Sequence, residues 1–274
     1  MIRTKTYLFG FLICLCQLCQ AATLVVLDVG EGQSVLLKDG ADAILVDTGH
    51  AGAATSVLKA LEKYKVKELK AIVLTHLHPD HVSGWFRLHE AFPDAATFYS
   101  GHKVAPLALD DVSRWVFEAI TNLPNYREIG MGDSIPVGRC TVVVMWPKDP
   151  SGPDLNANSL VLEVDCSGAT ALLMADANTT VEQELLRIGA LNKNIELLIV
   201  GHHGASDASS EIFLKTLRPG QSAISVNKNN LRGYPAARVI TSLQESGSKV
   251  LRTDRDGDLC FQASDRNLWI PCRP

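Results

Sequence analysis

The chain has 274 residues, of which 46% are hydrophobic, and this is enough to bury the core of one large α/β domain. Its 26 Lys and Arg residues are outnumbered by 30 Asp and Glu residues, which gives a net charge of −4 at pH 7. This balance excludes a basic protein that coats nucleic acid by neutralising phosphates, so any nucleic-acid role must rest on a local site.

The N-terminus has the pattern of a secretory signal peptide over residues 1–22. Arg3 and Lys5 precede an uncharged apolar run, Tyr7–Leu18, and small residues follow it. The run is too short to span a bilayer comfortably, which disfavours a retained membrane anchor. Loss of this segment would leave 24 basic against 30 acidic side chains and a net charge of −6.

We therefore expect cleavage after Ala21 or Ala22 and a single mature domain over residues 23–274. The protein would be exported, either periplasmic or secreted, with no stable membrane anchor after processing.

The cysteines divide between the signal peptide and the mature chain. Three of the seven fall in the predicted signal peptide, and the mature chain keeps Cys140, Cys166, Cys260 and Cys272. In an oxidising compartment these four could form two disulfides, with three possible connectivities. Alternatively, Cys140 and Cys166 are small buried thiols. The four include no Cys-x-x-Cys pair, which disfavours a structural zinc site.

Three short apolar runs open the mature chain and predict strands over Thr23–Leu27, Ser34–Leu37 and Ala43–Val46. The Asp39-Gly40 pair between the last two is typical of a hairpin turn. The hydrophobic spacing then changes to that of a helix over Ala54–Tyr64.

After a strand over Ala71–Leu74, helices and strands follow one another to the C-terminus. The predicted helices cover Arg87–Phe92, Asp111–Asn122, Thr180–Ile188, Ser209–Leu217 and Ala236–Glu245. The predicted strands cover Thr141–Trp146, Leu160–Val164, Ala171–Met174, Ile195–Val200, Ser222–Val226, Lys249–Thr253 and Leu259–Gln262. The segment Pro147–Asn158 is rich in Pro, Gly, Asp and Asn and predicts an irregular insertion.

The loop after the Ala71–Leu74 strand carries three imidazoles and a carboxylate, at His76, His78, Asp80 and His81. Imidazole nitrogens and carboxylate oxygens are the ligands that zinc takes, and a catalytic zinc needs them clustered around an open position. The alternative is a polar loop that happens to be rich in histidine. Its place directly after a strand favours the metal site.

This His-x-His-x-Asp-His run resembles the signature of the metallo-β-lactamase superfamily. Within it, the chain is most similar to the soluble hydrolase-like domain of competence DNA-uptake proteins of the ComEC/Rec2 type. The segment Leu27–Ser34 is similar to the Asp-Val-Gly-Gln-Gly-Asp-Ser motif of those domains, with Glu31 and Gln33 at two altered positions. The resemblance implies a single-domain α/β fold in which two stacked sheets are covered by helices, the four-layer αββα sandwich.

The resemblance also assigns the remaining metal ligands. Asp176 follows the apolar run Ala171–Ala175 and matches an acid that bridges two metals in the superfamily's hydrolases; it could instead cap the next helix. His202 and His203 match the late His motif. Because adjacent side chains on an extended segment point in opposite directions, only one should be a ligand. We favour His202 as ligand and His203 as a proton donor to the leaving group or a group that orients a ligand, although the two could be swapped, or both could be structural.

The first metal site departs from the family pattern. Asn158 stands where most two-metal members have another His, and an amide oxygen suits harder ions such as manganese or magnesium. We therefore expect two divalent metal ions, zinc or manganese. In the resemblance, Asp47 orients a metal-bound His by accepting its other ring proton, and Asp28 is a candidate for a similar role. Ordinary turn chemistry is the alternative for both.

The C-terminal part supplies candidates for substrate binding. Arg232 and Lys228 could bind an anionic group near the metals, or could be solvated loop charges. Tyr234 occupies the position of a His in the competence-type ending. His50, His89 and His102 have no supporting residues nearby in the sequence and are interpreted as structural or surface residues.

These observations predict an exported metal-dependent hydrolase in which Asp80 and His203 contribute to catalysis. The competence resemblance implies a phosphodiesterase or nuclease that acts on nucleic acid, with a separate uptake-channel protein as a candidate partner. One alternative is a lactonase or a β-lactamase-type hydrolase; a β-lactamase lacks the bridging acid and keeps the first-site His, whereas a lactonase keeps the acid. Another is a non-catalytic binding module of a DNA-uptake machine, which metal content would distinguish.

Overall fold

The computed structural model describes residues 21–103, 109–191 and 195–273. The predicted signal peptide lies outside the described residues, except for Ala21 and Ala22. None of the helices in these ranges has the length and apolar character that crossing a membrane requires.

The described strands and helices are numbered in chain order. The strands are Thr23–Val26 (β1), Val35–Asp39 (β2), Asp42–Val46 (β3), Ala71–Val73 (β4), Ala96–Tyr99 (β5), Tyr126–Glu128 (β6), Ser134–Val137 (β7), Cys140–Trp146 (β8), Val161–Cys166 (β9), Ala169–Leu173 (β10), Leu197–Ile199 (β11), Gln221–Ile224 (β12), Lys249–Arg252 (β13), Leu259–Ala263 (β14) and Trp269–Cys272 (β15). The helices are Ala54–Lys63 (α1), Pro79–Val82 (α2), Trp85–Ala91 (α3), Asp111–Thr121 (α4), Thr179–Ile188 (α5), Glu211–Leu217 (α6), Ala237–Glu245 (α7) and Thr253–Asp256 (α8).

In the described part of the chain, the strands form two mixed sheets, with the orders β15-β14-β1-β2-β3-β4-β5-β6 and β13-β12-β11-β10-β9-β8-β7. The side chains between the two sheets form one apolar core, which includes Leu24, Ile44, Leu162 and Phe261. A second core covers the outer face of the first sheet, and a third covers that of the second sheet. Helices pack on both outer faces, and the predicted four-layer αββα sandwich is confirmed.

The hydrophobic periodicity located most of the regular elements correctly. The hairpin turn predicted at Asp39-Gly40 joins β2 to β3, and Asp39 pairs with Asp42 across it. The insertion at Pro147–Asn158 contains no helix or strand, as predicted.

The sequence pattern does not predict the strands β5, β6, β7 and β15, and the last three lie at sheet edges. The short strand β6 has the sequence Tyr-Arg-Glu, while β7 and β15 each contain a proline, at Pro136 and Pro271. Edge strands tolerate polar residues and proline because one side makes no ladder hydrogen bonds, so they lack the apolar pattern of a central strand.

The four cysteines of the predicted mature chain form two disulfides. Cys140 pairs with Cys166 between β8 and β9, and Cys260 pairs with Cys272 between β14 and β15. Each bond joins two residues that are direct partners in an antiparallel ladder.

A charged contact fastens the two sheets together at one end of the sandwich. Asp39, at the end of β2, accepts hydrogen bonds from the backbone N–H and the guanidinium of Arg139, in the turn between β7 and β8. The Arg139 guanidinium holds the pKa of the Asp39 carboxyl below its usual range, although burial acts in the opposite direction.

Candidate metal centre

The predicted ligands meet where parallel strands of the two sheets end. The strand β3 is parallel to β4 in the first sheet, and β10 is parallel to β11 in the second. Asp47 follows β3, the His-rich loop follows β4, Asp176 follows β10, and the His202-His203 pair follows β11. Because the carboxyl ends of neighbouring parallel strands share one edge, these four loops converge on one end of the sandwich.

One group of candidate ligands consists of His76, His78 and Asp176, whose ligand atoms all lie within 4.8 Å of one another. The Nε2 atom of His76 is 3.0 Å from Nδ1 of His78 and 3.8 Å from Oδ2 of Asp176. Burial and the neighbouring imidazoles lower the pKa of His76 well below its usual value. Burial also lowers the pKa of His78, so both rings are neutral and can act as ligands.

A second group consists of Asp80, His81 and His203. The Nε2 atoms of His81 and His203 are 3.4 Å apart, and Nε2 of His203 is 3.6 Å from Oδ2 of Asp80. Asp176 reaches this group with its other oxygen: Oδ1 is 3.2 Å from Nε2 of His81 and 3.4 Å from Nε2 of His203. The two oxygens of Asp176 therefore face two different ligand groups.

The donor set of the second group fits a cation. His203 Nδ1 lies 3.0 Å from the Ser225 carbonyl oxygen, which can only accept, so Nδ1 carries the proton and Nε2 presents a lone pair. His81 Nδ1 lies 2.7 Å from the Asp47 carboxylate, which can also only accept. A neutral His81 ring therefore carries its proton on Nδ1 and presents a lone pair at Nε2. Among the described residues, the buried Oδ1 of Asp176 has no aligned hydrogen-bond donor. Two nitrogen lone pairs and a carboxylate oxygen thus converge, as a divalent cation requires.

The charged groups of this cluster shift the pKa values of His81 and Asp176 in opposite directions. Burial lowers the pKa of His81, but the carboxylates of Asp176 and Asp47 outweigh it and hold that pKa well above its usual value. Burial raises the pKa of Asp176, but His81 and His203 outweigh it and hold that pKa well below its usual value. A cation bound at Nε2 of His81 would therefore compete with a proton for the same atom.

Asp47 and Thr48 fix the position of His81. The Asp47 carboxylate is fully buried and accepts the His81 ring proton; it also accepts from the backbone N–H and the hydroxyl of Thr75. That hydroxyl lies 3.1 Å from Nδ1 of His76. Thr48 donates two further hydrogen bonds to the carbonyl of His81, from its N–H and its hydroxyl. Asp47 thus occupies the place expected from the sequence.

The structure places His203, rather than the favoured His202, beside Asp80 and His81. Both residues have a left-handed backbone conformation, with φ of 48° and 54°, so the assumption of an extended segment was wrong. His202 is not part of this group, and its Nδ1 is 2.9 Å from Oδ1 of Asp207. Its Nε2 lies 3.9 Å from Oδ2 of Asp176, at the rim of the centre.

Asn158 does not face the candidate ligands, contrary to the prediction. Its side-chain oxygen accepts from the Ser151 N–H, and its amide group donates to the carbonyls of Ser151 and Asp154. These three hydrogen bonds hold the Asn158 side chain within the Pro147–Asn158 loop. The amide that approaches the centre is Asn156, whose Nδ2 lies 3.4 Å from Nε2 of His202 and whose buried Oδ1 has no partner among the described residues.

Asp28 lies away from the centre, so its predicted role is not supported. Its exposed carboxylate accepts a hydrogen bond from the Gly30 N–H, which is the alternative of ordinary turn chemistry. His89 stacks on Trp85, and the ring of His102 lies 2.8 Å from the Gly152 carbonyl, as expected of structural residues.

A cavity of about 620 Å³ opens beside the second ligand group, and its lining includes Asp80, His50, Glu31 and Arg232. Arg232 is therefore placed where the sequence predicted, although its Nε lies 3.1 Å from Oε1 of Glu31. Lys228 is exposed on the same loop as Arg232.

His50 lines the cavity, whereas the sequence predicted a structural or surface residue at this position. Its Nδ1 accepts a hydrogen bond from the Gly52 N–H, and its Nε2 lies near Gly30. The isolated position of His50 in the sequence gave no signal of this.

Comparison with known proteins agrees with the geometry. A family model described as the metallo-beta-lactamase superfamily matches residues 27–226. The chain is 27% identical over 265 residues to ComE operon protein 3 of Bacillus subtilis (strain 168), and 28% identical over 247 residues to competence protein ComA of Neisseria gonorrhoeae. Each alignment covers 88% of this chain but only 33% and 32% of the relative, so the chain spans about a third of their length.

A solved structure is similar over nearly its whole length. The metallo-beta-lactamase fold protein YhfI from Bacillus subtilis superposes with a TM-score of 0.57 at 15% identity, covering 85% of this chain and 96% of that protein. The similarity supports the fold seen here.

Proposed function

The chain belongs to the metallo-β-lactamase superfamily, and we propose that it is an exported, two-metal hydrolase that cleaves phosphodiester bonds in nucleic acid. The family and the two ligand groups support a metal-dependent hydrolase. The charges around the site and the competence relatives support a phosphodiester substrate.

The observation that carries the proposal is the position of Asp176 between the two ligand groups. Its Oδ2 faces His76, while its Oδ1 faces His81 and His203. A buried carboxylate with one oxygen toward each group suits a bridging ligand. Two divalent cations, when bound, supply Lewis acidity that lowers the pKa of water and neutralises charge on a phosphodiester.

The first cation would be held by His76, His78 and Asp176. We assign the buried amide oxygen of Asn156 as a further ligand on this side, in place of the Asn158 oxygen. An amide and a carboxylate beside two imidazoles suit manganese as well as zinc.

The second cation would be held by Asp80, His81, His203 and the other oxygen of Asp176. Asp80 lines the cavity, so of these ligands it lies nearest to a substrate in that space. His202 would then contact the leaving-group oxygen in place of the Asn156 amide, because Asp207 holds its Nδ1 and directs its Nε2 toward the centre.

Two features favour a phosphodiester over a neutral ester or amide. Arg232 gives the cavity a guanidinium group, which pairs well with phosphate oxygens. Two relatives carry the names ComE operon protein 3 and competence protein ComA, and the second name links this kind of chain to DNA uptake. A lactonase remains the second candidate, because a bridging acid such as Asp176 would serve it equally well.

Export is proposed from the N-terminal pattern, and the disulfides Cys140–Cys166 and Cys260–Cys272 support it, since such bonds persist in oxidising compartments. A separate membrane-channel protein is proposed as a partner. The relatives are about three times longer than the region they share with this chain.

The experiment is a substrate panel with purified protein loaded with manganese or zinc. Single-stranded DNA, bis(p-nitrophenyl) phosphate, a lactone and a β-lactam are assayed with the wild type, Asp80→Ala and His81→Ala. We expect cleavage of both phosphodiesters by the wild type alone. Hydrolysis of the lactone without either phosphodiester would support the second candidate instead, and full activity in both variants would refute a metal mechanism.

A further inference from the structure

An ion pair between Glu31 and Arg232 lies in the wall of the cavity beside Asp80. The Nε atom of Arg232 is 3.1 Å from Oε1 of Glu31, and the side chains remain 56% and 44% exposed. Both residues line the cavity of about 620 Å³, so the pair faces the space that a substrate would enter. A cavity of this size falls in the range that holds drug-sized ligands and exceeds what a single phosphate group needs.

The loop of Glu31 is held rigidly against the metal-binding loop. Gly32 has φ of +101°, and a Cβ atom there would lie 1.8 Å from the carbonyl oxygen of Asp80. The hydroxyl of Ser225 donates a 2.7 Å hydrogen bond to the Gly32 carbonyl, and the Gln33 N–H donates to the Asp80 carbonyl. The position of the Glu31 backbone is therefore fixed relative to Asp80.

The loop of Arg232 is also organised, because Asn230 closes it. The Asn230 side chain donates to the carbonyls of Asn227 and Tyr234 and accepts from the Tyr234 N–H. The loop that carries Arg232 therefore has a defined conformation next to the cavity.

The carboxylate of Glu31 takes the position that a phosphate oxygen would take on Arg232. A solvated ion pair is weak, whereas a phosphate offers several oxygens to the same guanidinium, so a substrate phosphate can displace Glu31. We propose that Arg232 is a subsite for a phosphate next to the scissile one and that Glu31 blocks this subsite until a polyanionic strand displaces it. This inference rests on the proposed phosphodiesterase function and makes Glu31 and Arg232 the residues that select a nucleic-acid strand over an isolated phosphodiester.

The test compares Glu31→Gln with Glu184→Gln in the manganese-loaded protein. Glu184 pairs with Arg187 on the exposed surface of α5, at 2.7 Å, so this control removes the same charge from a similar ion pair. The affinity for a fluorescein-labelled phosphorothioate oligothymidylate, which resists cleavage, is measured by anisotropy. The ratio of kcat/KM for unmodified oligothymidylate to that for bis(p-nitrophenyl) phosphate is measured in parallel.

We expect Glu31→Gln to lower the Kd for the oligonucleotide about five-fold and to raise the kcat/KM ratio by a similar factor. Glu184→Gln should change neither quantity. In an Arg232→Gln background, Glu31→Gln should no longer improve binding, because the subsite is lost.

An unchanged Kd in Glu31→Gln, an equal gain in Glu184→Gln, or a gain that persists without Arg232 would each overturn the inference. Failure of the proposed function is recognised separately, since the wild type would then cleave neither phosphodiester. The anisotropy comparison decides the role of Glu31 in that case too, because it requires no turnover.

Discussion

The Nδ1 atom of His81 lies 2.7 Å from Oδ2 of Asp47, and both side chains are fully buried. The same carboxylate accepts from Thr75, whose hydroxyl contacts the ring of His76. One aspartate therefore orients a ligand in each of the two groups. An acceptor behind a metal-binding imidazole fixes the ring and strengthens its lone pair.

Asp47→Asn should weaken metal binding by about 10- to 100-fold, because an amide orients the His81 ring less firmly than a carboxylate does. Competition with a chromophoric chelator measures this affinity. Asp28→Asn serves as the control, since that carboxylate is exposed and bonds only the Gly30 N–H among the described residues. Equal metal affinity in Asp47→Asn and the wild type would contradict the role of Asp47.

His202→Ala and His203→Ala should differ in metal content. His203→Ala should lose the second metal, because its Nε2 lies with Asp80 and His81. His202→Ala should keep both metals but lower kcat about 100-fold, as expected when a proton-transfer group is removed. Metal analysis of the two variants, alongside their kinetics, checks the assignment. The reverse pattern would restore the sequence-based preference for His202.

Asn156→Ala and Asn158→Ala should separate a ligand from a structural amide. Asn158→Ala removes three hydrogen bonds from the Pro147–Asn158 loop and should lower the free energy of unfolding by about 1–3 kcal/mol. Asn156→Ala should weaken the first metal with little loss of stability. Thermal unfolding of the metal-free proteins and titration with manganese give the two readouts. Weaker metal binding only in Asn158→Ala would contradict this division.

Asp39→Asn should lower the free energy of unfolding by about 1–2 kcal/mol at neutral pH, because it weakens the bonds that Arg139 donates to the charged carboxylate. The folded-state pKa of Asp39 is depressed, so this contribution is fully present above the unfolded pKa of about 3.9. It is lost as the pH falls through the folded pKa.

Urea unfolding of wild type and Asp39→Asn, measured between about pH 7 and pH 3, follows this difference. The two curves should converge at the acid end. Glu184→Gln, in an exposed ion pair, should follow the wild type throughout. A constant difference down to the lowest pH would show that the charge of Asp39 contributes nothing.

Local patterns in the sequence were enough to predict most of the central strands and helices, while the four-layer arrangement came from the family resemblance. The strands on either side of the Asp39-Gly40 turn and the helix α1 carry clear apolar periodicity, and the structure confirms them. The edge strands β6, β7 and β15 were not predicted because one side of each makes no ladder hydrogen bonds, so they lack the apolar pattern of a central strand. Pro136 and Pro271, which argue against a central strand, are compatible with an edge.

The sequence predicted those parts of the candidate site whose residues are close together in the chain. The cluster His76–His81 lies on one short segment that runs from the loop after β4 into α2, and its spacing indicated a metal site. The choice between His202 and His203 depended on a left-handed turn, and that between Asn156 and Asn158 on how a loop closes. Glu31 and His50 reach the cavity only through tertiary contacts, which no local pattern encodes.

The central claim is that Asp176 bridges two cations, and anomalous diffraction from crystals soaked in manganese tests it most directly. We predict two anomalous peaks about 3.5–4 Å apart, one beside His76 and His78 and the other beside His81 and His203, with Asp176 between them. A single peak, or peaks that do not flank the Asp176 carboxylate, would contradict the account.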